Sequence, residues 1–150
     1  MSTLRAAGIT VELPTGWDGG IAEHAVLDDG AVRRSVTHLA NFPLPEHRGD
    51  YGGGAVSHMG WTDVLVVLLE FEPASTTEAL FAHKGLPRTL RGSDFSRATL
   101  QRLIEGQSGS QTFFQEAGRA FCLYVVLGSH TDREDLIPAV NAVLQRIHIA

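Results

Sequence analysis

The sequence predicts an α+β domain in which an antiparallel β-sheet is sandwiched between helices, an α/β/α sandwich. Three observations predict it. Residues 64–71 and 120–127 are apolar without alternation, so both faces of each strand need cover and both belong at the centre of a sheet. Leu136, Ile137, Val140, Val143, Leu144 and Ile147 recur at helical spacing, giving one apolar stripe about 100° wide. Asp29-Gly30 stands between two strand-like segments, and such a pair supplies the positive φ angles of a two-residue hairpin turn.

Taken in order, Ile9, Val11 and Leu13 alternate with Thr10 and Glu12, the period of a half-buried strand. Pro14 breaks that strand ahead of a corner at Gly16 and Trp17. Residues 21–27 and 32–42 form the arms of the hairpin around Asp28, Asp29 and Gly30, and Pro43 and Pro45 end the second arm because proline cannot donate to a ladder. The run at 64–71 is one central strand. Residues 111–116 and 120–127 form another hairpin, with Ala117-Gly118 as its turn.

Cover for the sheet is expected from helices. Ser75 or Thr76 caps a short helix through Leu80 and Phe81, stopped by Gly85 with Pro87 beyond. Thr131 and Glu134 have the spacing of a capping box for the C-terminal helix. Pro138 conflicts with a regular helix there, so the helix either kinks or begins nearer Asp135. Residues 93–107 fit a helix through Leu100, Leu103 and Ile104, but Gly106 and Gly109 fit a loop with a short strand equally well. Residues 147–149 form a last short strand. No internal repeat or interdomain linker is visible, and the 150 residues are read as one domain.

Composition narrows the function classes. At 43% hydrophobic and 19% charged, the chain has the apolar material for a core that a disordered chain lacks. The net charge of −5, with basic residues scattered singly apart from Arg33 and Arg34, leaves no stripe to replace counterions on a phosphate backbone, so nucleic acid is not an expected partner. Cys122 is the one cysteine and sits in an apolar run, which reads as a buried inert thiol. Residues 1–8 include Arg5 but no apolar stretch of signal-peptide length. The expected location is therefore the cytoplasm, without membrane insertion.

The segment Gly8-Ile9-Thr10-Val11-Glu12-Leu13-Pro14-Thr15-Gly16-Trp17, a strand running into a Pro-x-Gly-Trp corner, resembles the start of the PsbP-like family. The Asp-Leu-Ile-Pro-Ala-Val-Asn-Ala-Val-Leu stretch from Asp135, followed by a short strand, is similar to that family's end. The resemblance implies an antiparallel sheet sandwiched between helices and a role in binding other proteins. The Asp-Tyr-Gly-Gly-Gly segment and the Gly-Arg-Ala-Phe-Cys-Leu-Tyr segment are similar to those of a set of actinobacterial proteins of unknown function. No functional residue carries over from either likeness.

Several chemistries are tested against the residues. The histidines His24, His38, His47, His58, His83, His130 and His148 include no pair at the spacing that places ligands on one strand or helix face, and no metal or other cofactor is expected. His38 shares a strand face with Val36, Ala40 and Phe42 and reads as a hydrogen-bonded core histidine. Gly106-Gln107-Ser108-Gly109 lacks the spacing of a nucleophile elbow. Glu70 and Glu72, at the end of a central strand, read as a solvated rim rather than as a paired acid and base.

The candidate site is residues 50–61. Gly52, Gly53 and Gly54 lose the most backbone entropy on folding, and beside them stand Asp50, Tyr51, His58 and Trp61, an acceptor, two amphipathic aromatics and a titratable imidazole. The competing account is a structural turn followed by a short helix, with Trp61 anchored in the core. The preferred function is a non-catalytic protein-binding or adaptor module, a second copy of the chain being one candidate partner. The alternative is a small-molecule binder or enzyme using a cleft beside the glycine loop, walled by Tyr51, His58 and Trp61.

Overall fold

The computed structural model describes residues 1–24, 34–49 and 51–150. Alternation places β2 (Ile9–Leu13), which buries Ile9, Val11 and Leu13 and exposes Glu12. It pairs antiparallel with β1 (Ser2–Ala6) on one side and with β8 (Ile147–Ile149) on the other, completing a three-stranded sheet. The corner expected after it forms as a turn in which Trp17 N–H donates to the Pro14 carbonyl at 3.1 Å, with Gly16 at φ 87°.

A second antiparallel sheet runs in the order β3 (Asp18–Glu23), β4 (Ser35–Ala40), β5 (Val64–Glu70), β7 (Arg119–Leu127) and β6 (Ser108–Glu116). β3 and β4 pair as the arms of a hairpin, with β3 starting earlier than the sequence suggests. Its expected turn at Asp28, Asp29 and Gly30 lies outside the described residues. β6 and β7 pair around Ala117 and Gly118, both at positive φ, as the hairpin signal requires.

β5 and β7 are buried along their length, and the two-residue side-chain period sorts them between two cores. Val66, Leu68, Leu123 and Val125 face one core with α2 (Arg133–Leu144) and the three-stranded sheet. Leu65, Val67, Tyr124 and Val126 face the other, closed by Phe42, Ala55, Val56 and Leu100.

The expected α/β/α sandwich does not form. The fold is mostly β, with two antiparallel sheets, and α2 is the one α-helix longer than four residues among those described. On the first face a small sheet shares the covering layer with α2. On the second, the cover is the single turn α1 (Gly53–Val56) and irregular chain. The apolar runs specify that both faces are covered, but a sheet or packed loops remove apolar area from water as well as a helix does.

The smaller helix predictions fail for local reasons. Residues 75–81 form no α-helix but two 3₁₀ turns, Pro73–Thr77 and Ala79–Phe81, with Glu78 extended between them. Thr76 and Thr77 hydroxyls donate to the carbonyls of Pro73 and Ala74, three residues back, the local bonding by which such residues compete with a helix. Of the two readings left open for residues 93–107 the loop is the one found, with 3₁₀ turns at Gly92–Asp94 and Arg97–Thr99. The capping box of Thr131 and Glu134 is also absent. Asp132 is the N-cap without a side-chain cap bond, and its N–H donates to Ser129 Oγ at 3.1 Å. The helix runs from Arg133 through Pro138. Pro138 deprives the Glu134 carbonyl of its helical donor, and both residues lie on the exposed side of the helix.

Candidate functional site

Register brings the first residue of β5, the last of β7 and the first of β6 to one end of the large sheet, Val64 pairing with Leu127 and Leu127 with Ser108. The loops leaving these strands must meet there. Gly128 N–H donates to the Asp63 carbonyl at 2.9 Å, and His130 N–H to the Gly106 carbonyl at 2.7 Å. Asp63 turns its own loop by accepting from Gly60 N–H at 2.7 Å through Oδ2. A Cβ at position 128 would lie 1.9 Å from the Gly60 carbonyl oxygen, so only glycine permits this approach.

Between these loops lies an open cavity of about 590 Å³, lined by Met59, Trp61, Ile104, Glu105, Gln107 and Asp132 among others. Trp61 is 78% exposed at its lip, and Leu103, next to Ile104, is 78% exposed as well. Gln107 is only 3% exposed. Its Nε2 donates to the Val56 carbonyl at 2.8 Å, while its Oε1 is buried without a hydrogen-bond partner. Ser129 donates to Asp132 Oδ2 at 3.0 Å, which fixes that carboxylate at the start of α2. His130 Nδ1 is also buried and unpartnered. Loss of hydration, then Arg133, then Arg97 disfavour its charged form and hold its pKa below the ordinary histidine value.

Of the described candidate-site residues Tyr51, Gly52, Gly53, Gly54, His58 and Trp61, Trp61 alone lines this cavity. Tyr51 is half-buried and meets the Tyr124 ring edge-on at 5.4 Å between centroids. His58 is exposed. Trp61 is not the core anchor of the competing account. Two of the three glycines, Gly52 and Gly54, have packing reasons. Gly52 is buried at φ 75°, and a Cβ there would sit 2.6 Å from Leu65 Cδ2. A Cβ on Gly54 would meet the His47 carbonyl oxygen, while Gly53 has open space and its carbonyl accepts from Arg102 Nη1 at 2.9 Å. Asp50 lies outside the described residues.

The opposite end of β5 overturns another reading. Glu70 is no solvated rim, being 3% exposed, whereas Glu72 is exposed. Arg119 grips Glu70 with two bonds, Nε to Oε2 at 2.9 Å and Nη2 to Oε1 at 2.8 Å, and Ser35 adds a hydroxyl at 2.8 Å. Arg34 Nε approaches Oε2 at 3.6 Å. Arg119 also donates to the Ala7 and Ala150 carbonyls, tying the two sheets together. His38 is buried, and its Nδ1 accepts from Arg48 Nε at 3.0 Å, as a core histidine should. Cys122 is buried on the second face.

Glu105 was not named in the sequence, and Gln107 and Asp132 were not read there as site residues. The available signal was Gly60, Gly106 and Gly128, one glycine in each loop at the same end of the central strands. Among the described residues no three His, Cys, Asp or Glu side chains come together as a metal site, and no helix is long and apolar enough to cross a membrane. The fold and site define a mostly β protein with an aromatic-lipped acidic cleft. The chain matches no family model, no curated protein and no solved structure, so the resemblance to the PsbP-like family rests on its motifs alone.

Proposed function

We propose that the chain is a non-catalytic protein-binding module of the cytoplasm that docks its partner over the Trp61 end of the large sheet. The observation carrying this reading is the exposure of Trp61. A single exposed apolar side chain is ordinary, but here two large ones, Trp61 and Leu103, stand at 78% exposure beside a cavity walled by Met59 and Ile104. Tryptophan in such a setting is the residue type that most often dominates a protein interface. The resemblance noted in the sequence agrees with a binding role.

The test is affinity capture from native cells with the parent chain and Trp61→Ala as parallel baits, read by mass spectrometry for proteins and small molecules. A protein retained by the parent and lost from the variant supports the reading, and a second copy of the chain as that protein makes the module a homodimer. Retention by both baits places the partner elsewhere. A second reading, a small-molecule binder at this cleft, is favoured by the cavity volume of about 590 Å³, within the usual ligand range. A small molecule retained in place of a protein would establish it.

A further inference from the structure

The lining of the Trp61 cavity is chemically one-sided. It includes two carboxylates, Glu105 and Asp132, and no lysine, arginine or histidine. The carbonyl end of the Gln107 amide is a third acceptor, buried and without a donor. Trp61 adds an exposed indole face, which attracts cations through its quadrupole. These carboxylates and the indole face favour positive charge carried by hydrogen-bond donors.

The positive end of α2 and the neighbouring arginines oppose this. The positive end of α2 opens beside Asp132 and is worth about half a unit charge, falling off within one turn. Asp132 itself, with Glu134 and Asp135 in that first turn, outweighs it. No arginine lines the cavity: Arg133 Nη1 donates to the His130 carbonyl and Arg102 Nη1 to the Gly53 carbonyl, both at 2.9 Å, while Arg133 and Arg97 act on His130. The cavity therefore has acceptors in excess.

We propose that the Trp61 cavity is the receptor for an arginine side chain presented by the partner protein, its guanidinium lying over the Trp61 indole and donating to the Glu105 and Asp132 carboxylates. Arginine fits better than lysine. Its planar head stacks on an aromatic face while its five N–H groups fan outward in the plane, and it is more weakly hydrated than an ammonium. A cavity of about 590 Å³ exceeds one such side chain, so the apolar residues flanking the arginine settle on Met59, Ile104 and Leu103. This inference rests on the protein-binding reading and specifies what the partner presents.

The probe is a capped pentapeptide, Gly-Leu-Arg-Leu-Gly, compared with the same peptide carrying citrulline, which keeps the shape and removes the charge. Binding is read by indole fluorescence in a Trp17→Phe background, so that Trp61 is the only reporter. The arginine peptide should bind at least tenfold more tightly than the citrulline peptide and weaken as salt is raised. Glu105→Gln and Asp132→Asn should each reduce its affinity severalfold, while the citrulline peptide is indifferent to both. Equal binding of the two peptides overturns the arginine assignment and leaves an apolar docking face. No binding of either peptide, alongside a captured protein that depends on Trp61, also overturns the assignment while the protein-binding reading stands. Failure of both experiments removes both.

Discussion

The two ends of β5 use polar chemistry in opposite ways. At the Glu70 end, a buried carboxylate accepts from Ser35 and from two nitrogens of Arg119, and Arg119 also reaches the Ala7 and Ala150 carbonyls. At the Val64 end, Gln107 keeps a buried oxygen without a donor, and an indole faces solvent. Stability explains the first arrangement, because an unpaired buried charge would cost several kcal/mol. Stability does not explain the second. Where polar groups near a cavity remain unmatched and an aromatic is left out of the core, the proposed partner would account for both.

Breaking the Glu70 end should have the largest effect on folding. Arg119→Met leaves Glu70 buried without its main partner and should cost about 3–5 kcal/mol in denaturant unfolding. Adding Glu70→Met should restore part of that loss, since an apolar pair needs no solvation. If Arg119→Met alone is neutral, the cluster is not holding the sheets together. The core between the two ends responds next. Leu123→Ala should cost about 2–5 kcal/mol and Val66→Ala toward the lower end of that range, and amide exchange in β5 and β7 should be the slowest in the chain. A near-neutral Leu123→Ala would contradict burial on the α2 face.

Smaller effects sharpen the contrast. Ala117 closes the β6–β7 hairpin at φ 55°, a region that disfavours alanine by about 1–2 kcal/mol. Ala117→Asn should therefore raise the melting temperature modestly, and a drop would show that the turn is not strained. His130, at the cleft end, has a folded pKa below its unfolded one. The unfolded chain thus takes up the proton first, so this stability is present above about pH 6.5 and is lost as pH falls through the lower folded value. The fall in melting temperature between pH 7.5 and pH 5 should be smaller in His130→Gln; an unchanged fall would place the acid sensitivity elsewhere. Trp61→Ala should shift stability least, within about 0.5 kcal/mol, despite removing the largest exposed side chain at the cleft.

The sequence and the structure agree where one local pattern determines the outcome. Ile9, Val11 and Leu13 alternate as a strand, Ala117-Gly118 turns a hairpin, and the unalternating runs are buried on both faces. Agreement fails where the outcome depends on what lies across space. β1 was not anticipated, because among its residues only Leu4 packs against the core. Glu70 resembles any strand-end carboxylate until Arg119 is placed beside it by the pairing of β5 with β7. Within the candidate segment, Gly52 and Gly54 are explained by Leu65 and the His47 carbonyl, neither adjacent in sequence. Trp61 was legible as unusual, but its companions Glu105, Gln107 and Asp132 come from two other loops, and no spacing rule joins them.

The most direct test of the division between the two ends is amide hydrogen exchange of the chain, free and bound to its captured partner. Protection gained on binding should concentrate in residues 57–63, 101–107 and 128–132, with no change around Ser35, Glu70 and Arg119. Protection gained around Glu70 and Arg119, or confined to residues 51–54, with the Trp61 end unaltered, would contradict the account.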